Sequence, residues 1–145
     1  MIKMMISKLE KLRMRLHEYY DFEECIIEDV RWREYGSVID LVFLYIWDEE
    51  HRVRKDIDSG PRIILRFSLV QEWHLYNALN SSMLENPECL NWGLSEVACV
   101  RIGEAREFTS AYKSSPRSFY HAVIHWEGER RIDIIFRDLE IIEDK

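Results

Sequence analysis

The C-terminal stretch constrains the fold most. Tyr120, Ala122, Ile124 and Trp126 alternate with His121, Val123 and His125; after Glu127-Gly128-Glu129, Ile132, Ile134 and Phe136 alternate with Arg131, Asp133 and Ile135. Alternation with period two places each set on one face of a strand, and a three-residue loop with a central glycine joins the strands as a hairpin. The predicted register pairs Trp126 with Arg130, Ile124 with Ile132, Ala122 with Ile134 and Tyr120 with Phe136. One face is then apolar, and the other carries His121, Val123, His125, Arg131, Asp133 and Ile135. A slip of one residue would mix the two sets and bury charge.

The rest of the chain extends this antiparallel pattern. From Val38 to Trp47, Ile39, Leu41, Phe43, Tyr45 and Trp47 line one face while Val38, Val42, Leu44 and Ile46 line the other. A strand apolar on both faces is central and covered on both sides. Asp40 is its exception and, near the strand's start, is expected to reach solvent. The run Phe22 to Glu34 precedes it across the turn Tyr35-Gly36-Ser37, forming a hairpin. Asp48 to Pro61 reads as a solvated loop or hairpin tip. Ile63, Leu65, Phe67 and Leu69 mark a third strand, which either continues towards Leu75 or gives way to a helix between Val70 and Leu79. A connection with at most one helical turn over Asn80 to Asn91 leads to a fourth strand at Leu94 to Ile102, and a polar segment to Pro116 follows. Ahead of all these, Ile2, Met5, Ile6, Leu9, Leu12, Leu16, Tyr19 and Tyr20 recur at three- and four-residue steps, the mark of an amphipathic helix. The expected fold is α+β: one domain over residues 1–145, with an N-terminal amphipathic helix packed on an antiparallel, strongly twisted sheet of about six strands.

Charge narrows the function. The chain has 145 residues, 47% of them hydrophobic, with 20 Lys and Arg against 27 Asp and Glu, a formal charge of −7. That surplus opposes contact with nucleic-acid phosphates and steers basic protein partners towards the surface. Cys25, Cys89 and Cys99 form neither an even set nor a C-x-x-C pair, and the first thirty residues lack a signal-peptide pattern. A cytoplasmic protein with reduced thiols is the expectation, with no membrane partner, since the longest apolar run, Leu41 to Trp47, falls far below the ~20 residues of a membrane helix.

No residue set points firmly to catalysis, a metal or a cofactor, and none of the three is expected. His121 and His125 share a strand face, but four residues of strand separate their side chains by about 13 Å, too far for one ion. Glu23 and Glu24 precede Cys25 and disfavour a thiolate there; Cys99 lies in an apolar run; Cys89 lies in a connection. Phosphate loops, H-E-x-x-H and G-x-S-x-G are absent. What the sequence does concentrate is acid: Glu23, Glu24, Glu28 and Asp29 in the first strand, and Asp48, Glu49 and Glu50 after the second. A hairpin centred on Gly36 brings Glu23 and Glu24 beside Asp48 and Glu49, at one end of the sheet. Acidic edges also discourage strands from pairing with other chains, so this cluster has a structural as well as a binding reading.

The order of features is similar to a known one. Tyr20-Asp21-Phe22 enters Ile26-Ile27-Glu28, followed by a hydrophobic strand, Ile64-Leu65-Arg66-Phe67 with Val70, Trp92-Gly93 with Glu96, and His121-Ala122-Val123 with a glycine turn and Ile132-Asp133-Ile134-Ile135-Phe136. From about Tyr20 onwards the chain resembles small bacterial immunity proteins of polymorphic and contact-dependent toxin systems. The resemblance implies an antiparallel meander that binds and blocks a cognate toxin, often a nuclease, and it carries over no catalytic residue. The seven acidic residues named above are the expected partner-binding positions. Two other classes compete: a ligand-binding or hydrolase domain using the His121/His125 face with Trp73, His74 and Tyr76, and an oligomeric structural protein built on its five tryptophans.

Overall fold

The computed structural model describes residues 7–45, 62–77, 81–86, 97–105, 119–126 and 130–144. In chain order they form helix α1 (Lys8–Glu18), strands β1 (Ile26–Arg33), β2 (Val38–Leu44), β3 (Arg62–Ser68) and β4 (Glu72–Tyr76), and the short helix α2 (Ser81–Glu85). Strands β5 (Val97–Glu104), β6 (Tyr120–Trp126), β7 (Arg131–Phe136) and β8 (Asp138–Asp144) follow. All strand pairs are antiparallel. The strands make two four-stranded sheets, ordered β1-β2-β3-β8 and β4-β7-β6-β5.

The α+β class stands, whereas the single sheet of about six strands is replaced, among the described residues, by eight strands in two sheets. The reason is a shared corner at which two passes of the chain change sheet. β3 gives way to β4 across Leu69–Gln71, where Leu69 adopts a left-handed φ of 53°, and β7 gives way to β8 at Arg137. The two breaks remain bonded to each other: the Gln71 N–H donates to the Ile135 carbonyl at 2.8 Å and the Arg137 N–H to the Ser68 carbonyl at 3.2 Å. Of the two alternatives for the residues after Val70, the strand is the one adopted as far as Tyr76.

One core lies between the sheets. Ile39, Leu41, Phe43, Ile63, Leu65 and Phe67 from the first sheet meet Val100, Ile102, Ala122, Ile124, Ile132, Ile134 and Phe136 from the second. Phe67 and Phe136, both fully buried, meet edge to face with centroids 4.9 Å apart. The C-terminal hairpin has the predicted register, with Tyr120 opposite Phe136, Ala122 opposite Ile134 and Ile124 opposite Ile132. β2 is an interior strand of its sheet and is buried along almost its whole length, as its two apolar faces require.

Two edges of the sandwich are bridged by α1. The helix begins at Ser7, whose Oγ accepts from the Glu10 N–H at 3.1 Å, an N-cap that satisfies one orphan donor. Residues before Ser7 lie outside the described set. At its other end α1 stops short of Tyr20, because Tyr20, Asp21 and Phe22 take φ values of 54°, 53° and 57°; Tyr20, placed in the apolar stripe by its spacing, is exposed. Leu9, Leu12, Leu16 and Tyr19 pack into the core. Lys8 Nζ donates to the Arg137 carbonyl beside β8 at 2.9 Å, and Arg13 Nε donates to the Ile102 carbonyl of edge strand β5 at 2.9 Å. At the other two edges, Trp32 of β1 and Trp73 of β4 meet with ring centroids 4.8 Å apart.

Candidate functional site

The acidic residues are only partly gathered as expected. Glu23 and Glu24 are exposed just before β1. Glu28 and Asp29 sit at a bulge in β1, where the register with β2 shifts between Ile27 and Asp29. The extra residue lets Ile27 and Val30 both face the core while two consecutive acids face out. Both are paired: Glu28 with Arg62 Nε at 2.5 Å and Asp29 with Arg31 Nε at 2.8 Å. Asp48, Glu49 and Glu50 lie outside the described residues. The structure adds acids that sequence reasoning missed. Ile26, Leu44, Arg62 and Asp144 stand in one row across the sheet, so the start of β1 and the end of β8 share one end. There Glu23 and Glu24 are joined by Glu143, which accepts a hydrogen bond from the Tyr19 hydroxyl, and by Asp144. The signal was present in Glu140, Glu143 and Asp144 of the sequence, but nothing in it revealed that the C-terminus forms an edge strand.

Asp40 does not reach solvent, contrary to its placement near the start of the strand. It is 3% exposed because Arg66 and Arg33 from the flanking strands close over it. Arg66 Nε and Nη2 donate to its two oxygens at 2.9 and 3.0 Å, and Arg33 Nη1 donates at 3.4 Å. Burial by itself raises the carboxyl; hydrogen bonds and charge from Arg66, then Arg33, outweigh it and hold Asp40 below its ordinary value.

The outer face of the second sheet holds the other candidate. Asp133 is 8% exposed. His121 Nε2 stands 2.8 Å from its Oδ1, and Arg131 Nε donates to Oδ2 at 2.8 Å. His74 faces Asp133 from β4, and the Arg131 guanidinium lies over the Tyr76 ring, 4.6 Å from its centroid. His125 lies in the same row as Tyr76 and Arg131, between Arg131 and Cys99. Trp73 leaves this group altogether: it is paired with Ile134, on the side of β4 that faces the core. The structure thus brings His121, Asp133, Arg131, His74 and Tyr76 together, with His125 beside Arg131 on the same face, and excludes Trp73 from them. Cys25 is fully buried and Cys99 half-buried, neither in a disulfide among the described residues, and Cys89 lies outside the described residues. Among the described residues, no group of three or more His, Cys, Asp or Glu could hold a metal ion, and no helix is long and apolar enough to cross a membrane.

A scan of protein families and a search of curated proteins each find no match for this chain. Among solved structures, the crystal structure of an uncharacterized protein from Neisseria gonorrhoeae is similar. It matches with a TM-score of 0.50 at 10% sequence identity, covering 82% of this chain and 90% of that one. At that identity the likeness concerns the fold alone.

Proposed function

We propose that this chain is a non-catalytic binding protein of the immunity type, which neutralises a cognate protein toxin through the acidic end of its first sheet. The observation that carries this reading is the row Ile26, Leu44, Arg62 and Asp144, which sets Glu23 and Glu24 at the same end as Glu143 and Asp144. On a chain of charge −7 this end draws a basic surface, such as the substrate groove of a nuclease, by long-range attraction. Pairing of Glu28 with Arg62 and of Asp29 with Arg31 moves the centre of the patch from the β1 bulge towards Glu24 and Glu143. Co-expression with a toxin domain encoded beside its own gene tests the proposal. Restored growth of the host supports it, and growth arrest despite soluble expression of both chains contradicts it.

A second reading has its own observation. The His121 imidazole is held by a buried carboxylate while 38% of its side chain stays open to solvent, an arrangement in which it could take a proton from a bound substrate. Turnover of simple ester or phosphoester substrates that is lost in His121→Ala favours a hydrolase; no turnover in the parent protein removes that reading.

A further inference from the structure

Among the described residues the two sheets leave four strand edges, β1, β8, β4 and β5. An edge invites pairing with another chain unless charge, a bulge or a covering element prevents it. Three of the four are defended. β1 has its bulge between Ile27 and Asp29 and exposes Glu28, Asp29, Arg31 and Arg33. β8 bears Asp138, Glu140, Glu143 and Asp144, and Lys8 of α1 donates to the Arg137 carbonyl beside it. β5 is held by α1 through Arg13 and the Ile102 carbonyl. β4 differs: it reads Glu-Trp-His-Leu-Tyr, with neither proline nor lysine, and its large side chains stay open to solvent. Trp73 is 38% exposed, Leu75 48% and Tyr76 47%, and Trp32 of β1, in contact with Trp73, is 55% exposed.

We propose that β4 is a dimerisation edge, which pairs antiparallel with β4 of a second copy of this chain about a two-fold axis at His74 and joins the second sheets of both copies into one. The strand matches itself in that register on both faces. Trp73 and Leu75 stand beside Ile134 and Ile132 on the core side of the sheet. The axis sets Trp73 of each copy opposite Leu75 of the other, and such directly opposed apolar pairs stabilise a sheet. On the outer face Glu72 comes opposite Tyr76 of the copy, in the row that continues to Arg131. The Arg131 guanidinium lies over the Tyr76 ring, 4.6 Å from its centroid, and so leans towards the free edge, where Glu72 of the copy meets it with opposite charge. Both contacts form twice, as a two-fold interface requires, and the charge match acts locally although each copy carries −7 overall. Moving the axis to Trp73 or to Leu75 removes the Trp73–Leu75 match and the approach of Glu72 to Arg131 together. The surface is separate from the acidic end of the first sheet: Glu23 and Glu24 precede β1, whereas Trp32 stands near its other end. Failure of either proposal therefore leaves the other standing.

The test is sedimentation equilibrium of the full chain from about 1 to about 200 µM, with two variants at the axis. His74 faces Asp133 within its own chain. His74→Lys therefore adds a cation beside a carboxylate in the monomer, while setting two like charges opposite each other in the dimer. The parent chain is expected to dimerise. His74→Lys should weaken the dimer at least about tenfold, as like charges brought together at an interface imply, and so should His74→Glu. An equimolar mixture of the two variants should dimerise again, because opposite charges then meet at the axis, a recovery that misfolded chains would not show. A parent chain that stays monomeric over this range overturns the proposal. So does a parent dimer that His74→Lys leaves equally tight, or a mixture of the two variants that stays monomeric.

Discussion

The Asp40 carboxylate, buried in interior strand β2 of the first sheet, receives two parallel hydrogen bonds from Arg66 on the neighbouring strand, at 2.9 and 3.0 Å. Removing one partner of such a pair strands a charge away from water, whereas removing both does not. Arg66→Ala should therefore lower stability by about 2–3 kcal/mol, less than a fully buried pair because Arg33 remains nearby. The double change Asp40→Leu with Arg66→Met should recover most of that loss, as read by urea denaturation.

The same pair sets an acid limit. Because the folded-state carboxyl of Asp40 lies below its ordinary value of 3.8, its stabilising contribution is complete above that value and disappears as pH falls through the folded one. Without Arg66 the burial that raises the carboxyl is less opposed. Stability of Arg66→Met should then begin to fall at higher pH than that of the parent protein; superimposable acid limbs would contradict the assignment.

Trp32 and Trp73, 4.8 Å apart with rings tilted by 48°, join two strands that are edges of different sheets. Their coupling should produce an exciton couplet in the far-ultraviolet circular dichroism that either Trp32→Phe or Trp73→Phe removes. Each change should cost about 1 kcal/mol, the usual worth of an aromatic pair. A parent spectrum without the couplet would show that the edges do not meet in solution.

At the turn between β1 and β2, Glu34 and Tyr35 have φ values of 50° and 57°, and the Tyr35 side chain is fully exposed. L-residues pay for left-handed backbone, while Asn and Gly accept it. Replacing Glu34-Tyr35 by Asn-Gly should raise stability by about 1 kcal/mol. An unchanged or lowered melting temperature would contradict this account of the turn.

Much of this architecture was legible in the residues. Alternation across Glu127-Gly128-Glu129 defined the hairpin register because a slip of one residue would turn Arg131 and Asp133 towards the core. Two apolar faces marked β2 as interior. The corner was not legible: neither Leu69–Gln71 nor Arg137 carries a glycine or proline to announce a bend, so β3 and β4 read as one strand or as strand and helix. β8 escaped notice because Asp138, Glu140, Glu143 and Asp144 surround its apolar Leu139 and Ile141. Asp40 misled in another way. Position along a strand says little about burial when arginines on both neighbouring strands can fold over a carboxylate. Of the candidate site, composition revealed the surplus of acid, while its location depended on the pairing of β3 with β8, a long-range contact that local pattern does not encode.

The most direct test of the proposed function is the association rate of this chain with a purified toxin domain encoded beside its gene, measured by stopped flow at several salt concentrations. For the parent protein the rate should fall steeply as salt rises. Glu24→Arg combined with Glu143→Arg should slow association about tenfold at low salt while changing dissociation much less. A complex whose association rate is insensitive both to salt and to these reversals would contradict the claim that the acidic end of the first sheet is the toxin-binding surface.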